Sequence, residues 1–351
     1  MSSEETPFGT CPLPIVDHKQ ILLGHGSGGV LTSQLIEGIF LPAFANPVLA
    51  RLDDQAVVEL GGARLAFTTD SYVVTPLFFP GGDIGSLAIH GTVNDLAMSG
   101  ARPLYLSVGF ILEEGFAIDD LRRIVLSMRD AAHSAGIAVV TGDTKVVGKG
   151  SGDKVFINTS GIGLVPTGVR ISADRARAGD AVLLSGTVGD HGMAIMTKRE
   201  GLGLDGDIAS DTAALHGLVA RMLDACPDVH VLRDPTRGGV AGVLGEIAAR
   251  ASVGVEIEEA AIPVREEVRG ACEILGFDPL YVANEGKLVA VVPEEAAAAV
   301  LSAMHDDPHG RAAVRIGRVT HDHPGLVVMR TAIGGSRVLE RAYGELLPRI
   351  C

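Results

Sequence analysis

The stretch "GDIGSLAIHGTVNDLAMSGARP" (residues 82–103) places Ile84, Leu87, Ala88 and Gly91 on one helical face, at i, i+3, i+4 and i+7. Four residues further on, the same face reaches Asp95. A carboxylate at the end of an inward face costs several kcal/mol unless it is paired or coordinates a cation. A local cap or ion pair explains one such acid as well as function does. Asp95 has company, however. "LDD" (52–54), "TTD" (68–70) and "GDT" (142–144) each set an acid at the end of a strand-like run or turn, which aims Asp54, Asp70 and Asp143 at a common sheet edge. Acids gathered in one place repel one another unless a divalent cation sits among them. An oxygen-only donor set without a His or Cys cluster favours Mg²⁺ over zinc, and magnesium held by carboxylates points to a phosphorylated substrate.

Around this stretch, the strand-like runs "RLAFTTD" (64–70), "IAVVTGD" (137–143) and "AVLLSG" (181–186) alternate with helix-period segments, predicting α/β or α+β layers. Leu121, Ile124, Val125, Met128 and Ala132 form a helical stripe over 119–133, with Asp119 to cap it and Gly136 to stop it. A second stripe, Val240, Val243, Leu244, Ile247 and Ala248, begins directly after "RGG" (237–239). A chain of 351 residues is long for one core. The polar "VPTGVRISADRARAGD" (165–180) places a boundary near residue 168. The expected units are an arm with a glycine-rich loop (1–42), a first domain (43–168), a second α/β domain (169–333) and a mobile tail (334–351).

A phosphate needs N–H donors, and "GHGSGG" (24–29), with Gly26, Ser27, Gly28 and Gly29, offers a loop that can turn its amides inward. It lacks the Walker A pattern, and taken alone it reads equally as a turn. In "DPTRGG" (234–239), Arg237 and the pair Gly238 and Gly239 open a helix whose N-terminus carries partial positive charge; a simple helix cap is the plain alternative. Lys145, two residues after Asp143, can reach the same phosphate or form a surface ion pair. Glu285 in "VANEGKLV" interrupts an apolar run as a satisfied loop acid or as a base with raised pKa. His191 in "GDHG" is a third titratable candidate, at a helix start where histidine is more often structural.

The balance of 43 acidic to 29 basic residues, net −14, repels nucleic acid and anionic lipid. The start "MSSEETPFGT" has no apolar signal region, and no run suggests a membrane helix, so a soluble cytoplasmic protein is expected. Cys11, Cys226, Cys272 and Cys351 stand singly, fitting neither a zinc site nor a disulfide framework. Cys351 ends the sequence, where a prenylation signal would need three more residues. From Gly334 the tail spans about 55–60 Å when extended, enough to swing a thiol between a partner and a cleft of its own domain.

The motifs "HGSGG", "TTDSYVVTPLFFPGGDIG", "HGTVNDLAMSGARPLYLS", "GDTKVV", "GDHGMAI", "RDPTRGGV", "DPLYVANEGKL" and the closing "PRIC" together resemble the HypE family of hydrogenase maturation factors, which are carbamoyl dehydratases. The wider superfamily is that of aminoimidazole ribonucleotide synthetase, whose members use ATP to phosphorylate an oxygen or selenium. The resemblance implies two α/β domains, the first pairing across a homodimer through its sheet. It implies that a HypF carbamoyltransferase loads Cys351, that the tail enters an ATP site, and that cyanide passes from the resulting thiocyanate to iron on a HypC–HypD complex. On the same ground Asp54, Asp70, Asp95 and Asp143 hold Mg²⁺ and phosphates, and Asn94, Thr144 and the "GHGSGG" loop support them. Lys145 would polarise the thiocarboxamide oxygen, and Glu285 would take the nitrogen proton. Two other readings stay open: a small-molecule kinase or selenophosphate synthetase using the same ATP site, and a non-enzymatic thiol carrier.

Overall fold

The computed structural model of the chain describes residues 19–202, 208–344, 347 and 349–351, so Cys11 lies outside them. Two mixed sheets organise the molecule. The first takes β1 (Ala56–Leu60), β2 (Ala63–Tyr72), β5 (Arg102–Glu113), β6 (Ala138–Val147) and β7 (Val155–Leu164) in the order β1-β2-β7-β5-β6; β3 (Phe78–Phe79) and β4 (Gly82–Asp83) form a small hairpin beside it. The second contains β8 (Ala181–Leu184), β9 (Val231–Arg233), β10 (Gly254–Glu258), β11 (Val289–Val292), β12 (Val314–Thr320), β13 (Val327–Arg330) and β14 (Ser336–Leu339), ordered β14-β13-β10-β12-β8-β11-β9. The short α1 (Val30–Leu35) and α2 (Leu41–Ala43) precede the first sheet, α3 (Ile84–Met98) and α4 (Ile118–Ser134) pack on it, and α5 (Asp190–Glu200), α6 (His216–Ala225), α7 (Gly239–Ala251), α8 (Glu266–Leu275) and α9 (Ala297–His305) accompany the second. The expected helices over 82–103 and 119–133 and after "RGG", and the three expected strands, are all present.

Helix α3 begins where Asp83 accepts from the backbone N–H of Gly85 (2.7 Å) and Ser86 (3.0 Å). It is buried nearly all round rather than along one face: Ile84, Leu87, Ala88, Ile89, Val93 and Leu96 are all fully covered. The reason is position, because α3 is wedged between the first sheet, α4, and elements of the second half, α6 and β9. Its glycines permit that fit. A Cβ on Gly91 would stand 2.3 Å from the Tyr72 hydroxyl oxygen. Gly91→Ala is therefore expected to cost about 1–3 kcal/mol, read as a lower denaturant midpoint with an unchanged slope.

The end of the chain differs from the mobile tail expected after residue 333. Ser336–Leu339 forms β14, paired antiparallel with β13 from Val327↔Leu339 to Arg330↔Ser336. The last residues then fold back onto the body, with Ile350 only 3% exposed within the core around α3. Weak side-chain periodicity concealed this, because the contacts that hold the segment are largely main-chain ones.

Candidate active site

The site forms where the end of β2, the last turns of α3, the β9–α7 turn, the loop at Glu285 and the chain terminus meet. β2 alternates: Ala66, Thr68 and Tyr72 are buried, and Asp70 shares their face at the strand end. α3 delivers Asp95, whose Oδ2 accepts from the Thr68 hydroxyl at 2.8 Å. Asp54 lies just before β1 and pairs with the Arg233 guanidinium at 2.9 Å. Arg233 also reaches Glu246 at 2.5 Å. Asp234 follows Arg233 and is 8% exposed. Glu285 is 3% exposed, and its backbone N–H donates to Asp211 Oδ1 at 3.0 Å. Cys351 sits half-buried against the same core cluster.

These acids act on one another. Burial, then the repulsion of Asp234 and Asp70, pushes Glu285 well above the carboxylate range. Asp95 is raised likewise by burial and by Asp234, Asp70 and Asp54. Burial lifts Asp54 to about 8 against the pull of Arg233, and Asp234 to about 6. The Cys351 thiol is pushed up to about 12 by burial, with Arg237 opposing and Glu285, Asp70 and Asp234 reinforcing the rise. Burial thus outweighs the one cation that favours thiolate, and the docked cysteine is a neutral thiol.

Acids raised in this way bind their protons more tightly folded than unfolded. Their stabilising effect is complete below the ordinary carboxylate pKa and is lost as pH rises through the folded values. The melting temperature of the nucleotide-free protein is accordingly expected to fall between about pH 4 and about pH 8 on account of Asp54 and Asp234. Asp234→Asn should flatten the part of that fall below about pH 6, and a variant curve parallel to the parent's would disprove the assignment.

Other expected residues lie elsewhere. Asn94 is spent as a bolt: its Nδ2 donates to the carbonyls of Ala213 (2.9 Å) and Glu285 (3.2 Å), and its Oδ1 accepts from Leu215 N–H (2.8 Å). It fixes the Glu285 loop from behind. Within the glycine-rich loop, Gly28 N–H donates to the Thr32 hydroxyl (2.9 Å) and Ser27 N–H to Gly24 O (3.4 Å), and just after it Val30 N–H donates to Ala342 O (2.9 Å) and Leu31 N–H to Tyr343 O (3.3 Å). Gly28 adopts φ +77° with its Cα against Arg237, which donates to Gly26 O at 3.0 Å. Ser27 turns its hydroxyl to Gly24 O. Gly238, at φ +82°, precedes α7. A cavity of about 560 Å³ opens beside Thr75, with Phe78, Phe116, Lys149 and Lys154 in its wall.

Asp143, Thr144 and Lys145 are not brought to this site within one chain. Across the sheet Asp70 aligns with Thr159, Val108 and Gly142, whereas Asp143 aligns with Gly109, Asn158 and Ser71. Aligned residues share a face, so Asp143 and Lys145 project from the face opposite Asp70, three strands and about 14 Å away. They pair with each other at 2.7 Å in the open. That outer face also exposes Phe67, Tyr105, Ile111 and Ile162. Among the described residues no three His, Cys, Asp or Glu side chains converge to hold a metal ion. Within one chain Asp143 therefore does not stand with Asp54, Asp70 and Asp95, whereas Asp234 does, its charge acting on Asp95 together with those of Asp70 and Asp54. The buried Asp54 Oδ2 has no hydrogen-bond partner. This donor set fits a magnesium ion that takes one or two carboxylates and completes its shell with phosphate oxygens and water. Sequence reading passed over Asp234 and Arg233, although an acid directly after a strand is the signal that singled out Asp70.

The AIR synthase related protein N-terminal domain matches residues 52–165 and the corresponding C-terminal domain matches 177–329. The carbamoyl dehydratase HypE of Azotobacter vinelandii is 58% identical over 93% of this chain and 96% of its own. The chain belongs to the HypE family. The family member from Escherichia coli (strain K12) is 53% identical over 94% of this chain and 99% of its own. Among solved structures of the family, a HypE–HypF complex superimposes with a TM-score of 0.84 at 50% identity, covering 88% of this chain and 99% of that one. A HypE in complex with ATP gives 0.80 at 53%, covering 95% and 100%. No helix of the described residues is long and apolar enough to cross a membrane.

Proposed function

We propose that this protein is an ATP-dependent carbamoyl dehydratase that converts an S-carbamoyl group on its own Cys351 to a thiocyanate, the source of the cyanide ligand of a [NiFe]-hydrogenase iron. The observation that carries this reading is the terminal thiol half-buried where the charges of Arg237, Glu285, Asp70 and Asp234 all act on it. A carrier of groups has no use for such carboxylates.

The reaction needs a leaving group on the carbamoyl carbon, because an amide oxygen leaves poorly and phosphate leaves well. The thiocarboxamide oxygen attacks the γ-phosphorus of ATP and the bond to ADP breaks. The nitrogen loses one N–H proton as the phosphorylated imidate forms. Loss of phosphate and of the second N–H proton leaves S–C≡N. Glu285 is the group placed to take a nitrogen proton: its buried Oε1 has no other hydrogen-bond partner, and its raised pKa makes it a stronger base than an ordinary carboxylate. Arg237 offsets negative charge near the reacting sulfur and the acids. Magnesium, when bound, would neutralise phosphate charge, held by one or two of the carboxylates Asp54, Asp70, Asp95 and Asp234.

Asp143 and Lys145 join the reaction if a second copy covers the outer face of the first sheet, where apolar side chains lie open; Thr144, between them, aligns with Tyr72 on the Asp70 face. A homodimer through that face brings the Asp143–Lys145 pair of one copy toward the other, and Lys145 then polarises the carbamoyl oxygen. HypF-type carbamoyltransferase is the loading partner, a HypC–HypD complex the acceptor, and the cytoplasm the compartment. The test is mass spectrometry of the S-carbamoylated protein after addition of Mg-ATP. The Cys351 peptide should lose the mass of one water. A carbamoyl group that persists unchanged would leave only the carrier reading.

A further inference from the structure

All three terminal carbonyl groups accept hydrogen bonds from the body of the protein. Arg349 O takes the backbone N–H of Thr75 (3.1 Å) and the Arg199 guanidinium (2.8 Å). Ile350 O accepts from His191 Nε2 at 2.6 Å, and a Cys351 terminal oxygen accepts from Val73 N–H at 3.2 Å. Val73 and Thr75, just past the end of β2, thus hold Cys351 and Arg349 in antiparallel order through two main-chain hydrogen bonds. The other edge of the terminal segment is taken by side chains of one helix, α5. His191 and Arg199 are eight residues apart and so lie on the same side of it.

Both donors are themselves fixed. His191 is fully buried, its ring edge-on to Phe79 with centroids 5.6 Å apart. Its Nδ1 lies 2.7 Å from the Ser210 hydroxyl, which already accepts from Thr212 N–H at 3.1 Å. Ile350 O can only accept, so the ring proton sits on Nε2, and Nδ1 of the neutral ring accepts from the Ser210 hydroxyl. Burial keeps the ring neutral. Arg199 also donates to Thr75 O through Nε at 2.9 Å, which joins the helix to the segment after β2. Arg349 sits at φ +52°, a conformation that a free non-glycine residue seldom takes, so the docked form is maintained by these contacts.

We propose that His191 and Arg199 are positioning residues: with the main chain of Val73 and Thr75 they form a cleft that grips the last three residues by their backbone and sets the Cys351 thiol at Glu285 and Arg237. The proposal rests on the dehydratase reading above and adds the device that presents the substrate. It also assigns His191 a role as neutral donor in place of an acid or base.

The test compares the full-length parent protein with His191→Ala, Arg199→Met, the double variant and His191→Gln. Without nucleotide, alkylation of Cys351 by iodoacetamide is followed by mass spectrometry, with Cys226 and Cys272 as internal references, since both are buried. Each single loss should speed Cys351 alkylation about ten-fold, the worth of one ordinary hydrogen bond, and the double variant more. His191→Gln, which keeps an N–H at that place, should return most of the protection. After chemical S-carbamoylation, the double variant should lose water with Mg-ATP at least several-fold more slowly, while binding ATP as the parent does. Unchanged Cys351 alkylation in the double variant would overturn the proposal. So would an equal rise at Cys226 and Cys272, which would mark general loosening. If the parent itself loses no water, the dehydratase reading fails, and the alkylation result still decides the cleft.

Discussion

Glu285→Gln is expected to slow water loss from the S-carbamoyl group by about 10²–10⁴-fold, the usual worth of a general base, with little change in ATP affinity. Gln has the same shape and can keep the backbone hydrogen bond to Asp211, so the loop should stand. Only the proton acceptor goes. The pH dependence gives a second reading of the same residue. Glu285 holds its proton well above the normal carboxylate pKa, so activity should rise with pH as the ionised fraction grows. That rising limb should vanish from the residual activity of the variant. Single-turnover mass spectrometry over a pH series measures both. Parent-like rates in Glu285→Gln would move the base elsewhere in the site.

The second large effect concerns Lys145. Lys145→Ala and Glu285→Gln should each be nearly inactive alone, yet an equimolar mixture, unfolded and refolded together, should recover up to about a quarter of parent activity. The arithmetic is that of random pairing: half the dimers are mixed, and each mixed dimer holds one intact site and one doubly defective site. This follows from the proposed dimer together with the register that puts Lys145 and Asp143 on the sheet face away from Asp70. If both residues served one chain's own site, mixing would restore nothing.

Much of the fold was legible because burial imposes periodicity on side chains. The alternation in β2 and the apolar positions of α3 and α4 report which way each element faces. Asp54, Asp70 and Asp95 were found together for the same reason, as acids that end such patterns. The sheet face of Asp143 was not legible. It depends on a register irregularity between β5 and β6, where Leu106 pairs with Val139 but Ser107 with Thr141, leaving Val140 as an extra residue that composition does not reveal. Asn94 looked like a ligand because its partners, at Ala213, Leu215 and Glu285, are backbone groups more than a hundred residues away. The docking of the terminus was hidden likewise, since main-chain carbonyls are alike in every residue.

The backbone grip on the terminus also constrains the order of events. Free thiol, carbamoyl thioester and thiocyanate differ only beyond the sulfur, whereas the hydrogen bonds of the grip reach only carbonyl oxygens and the Arg349 side chain. It therefore cannot tell an empty arm from a loaded one, or a finished product from its precursor. Sorting among them falls to whatever meets the arm outside, which on the proposed reaction is a loading enzyme that sees only undocked thiol and an acceptor that withdraws cyanide.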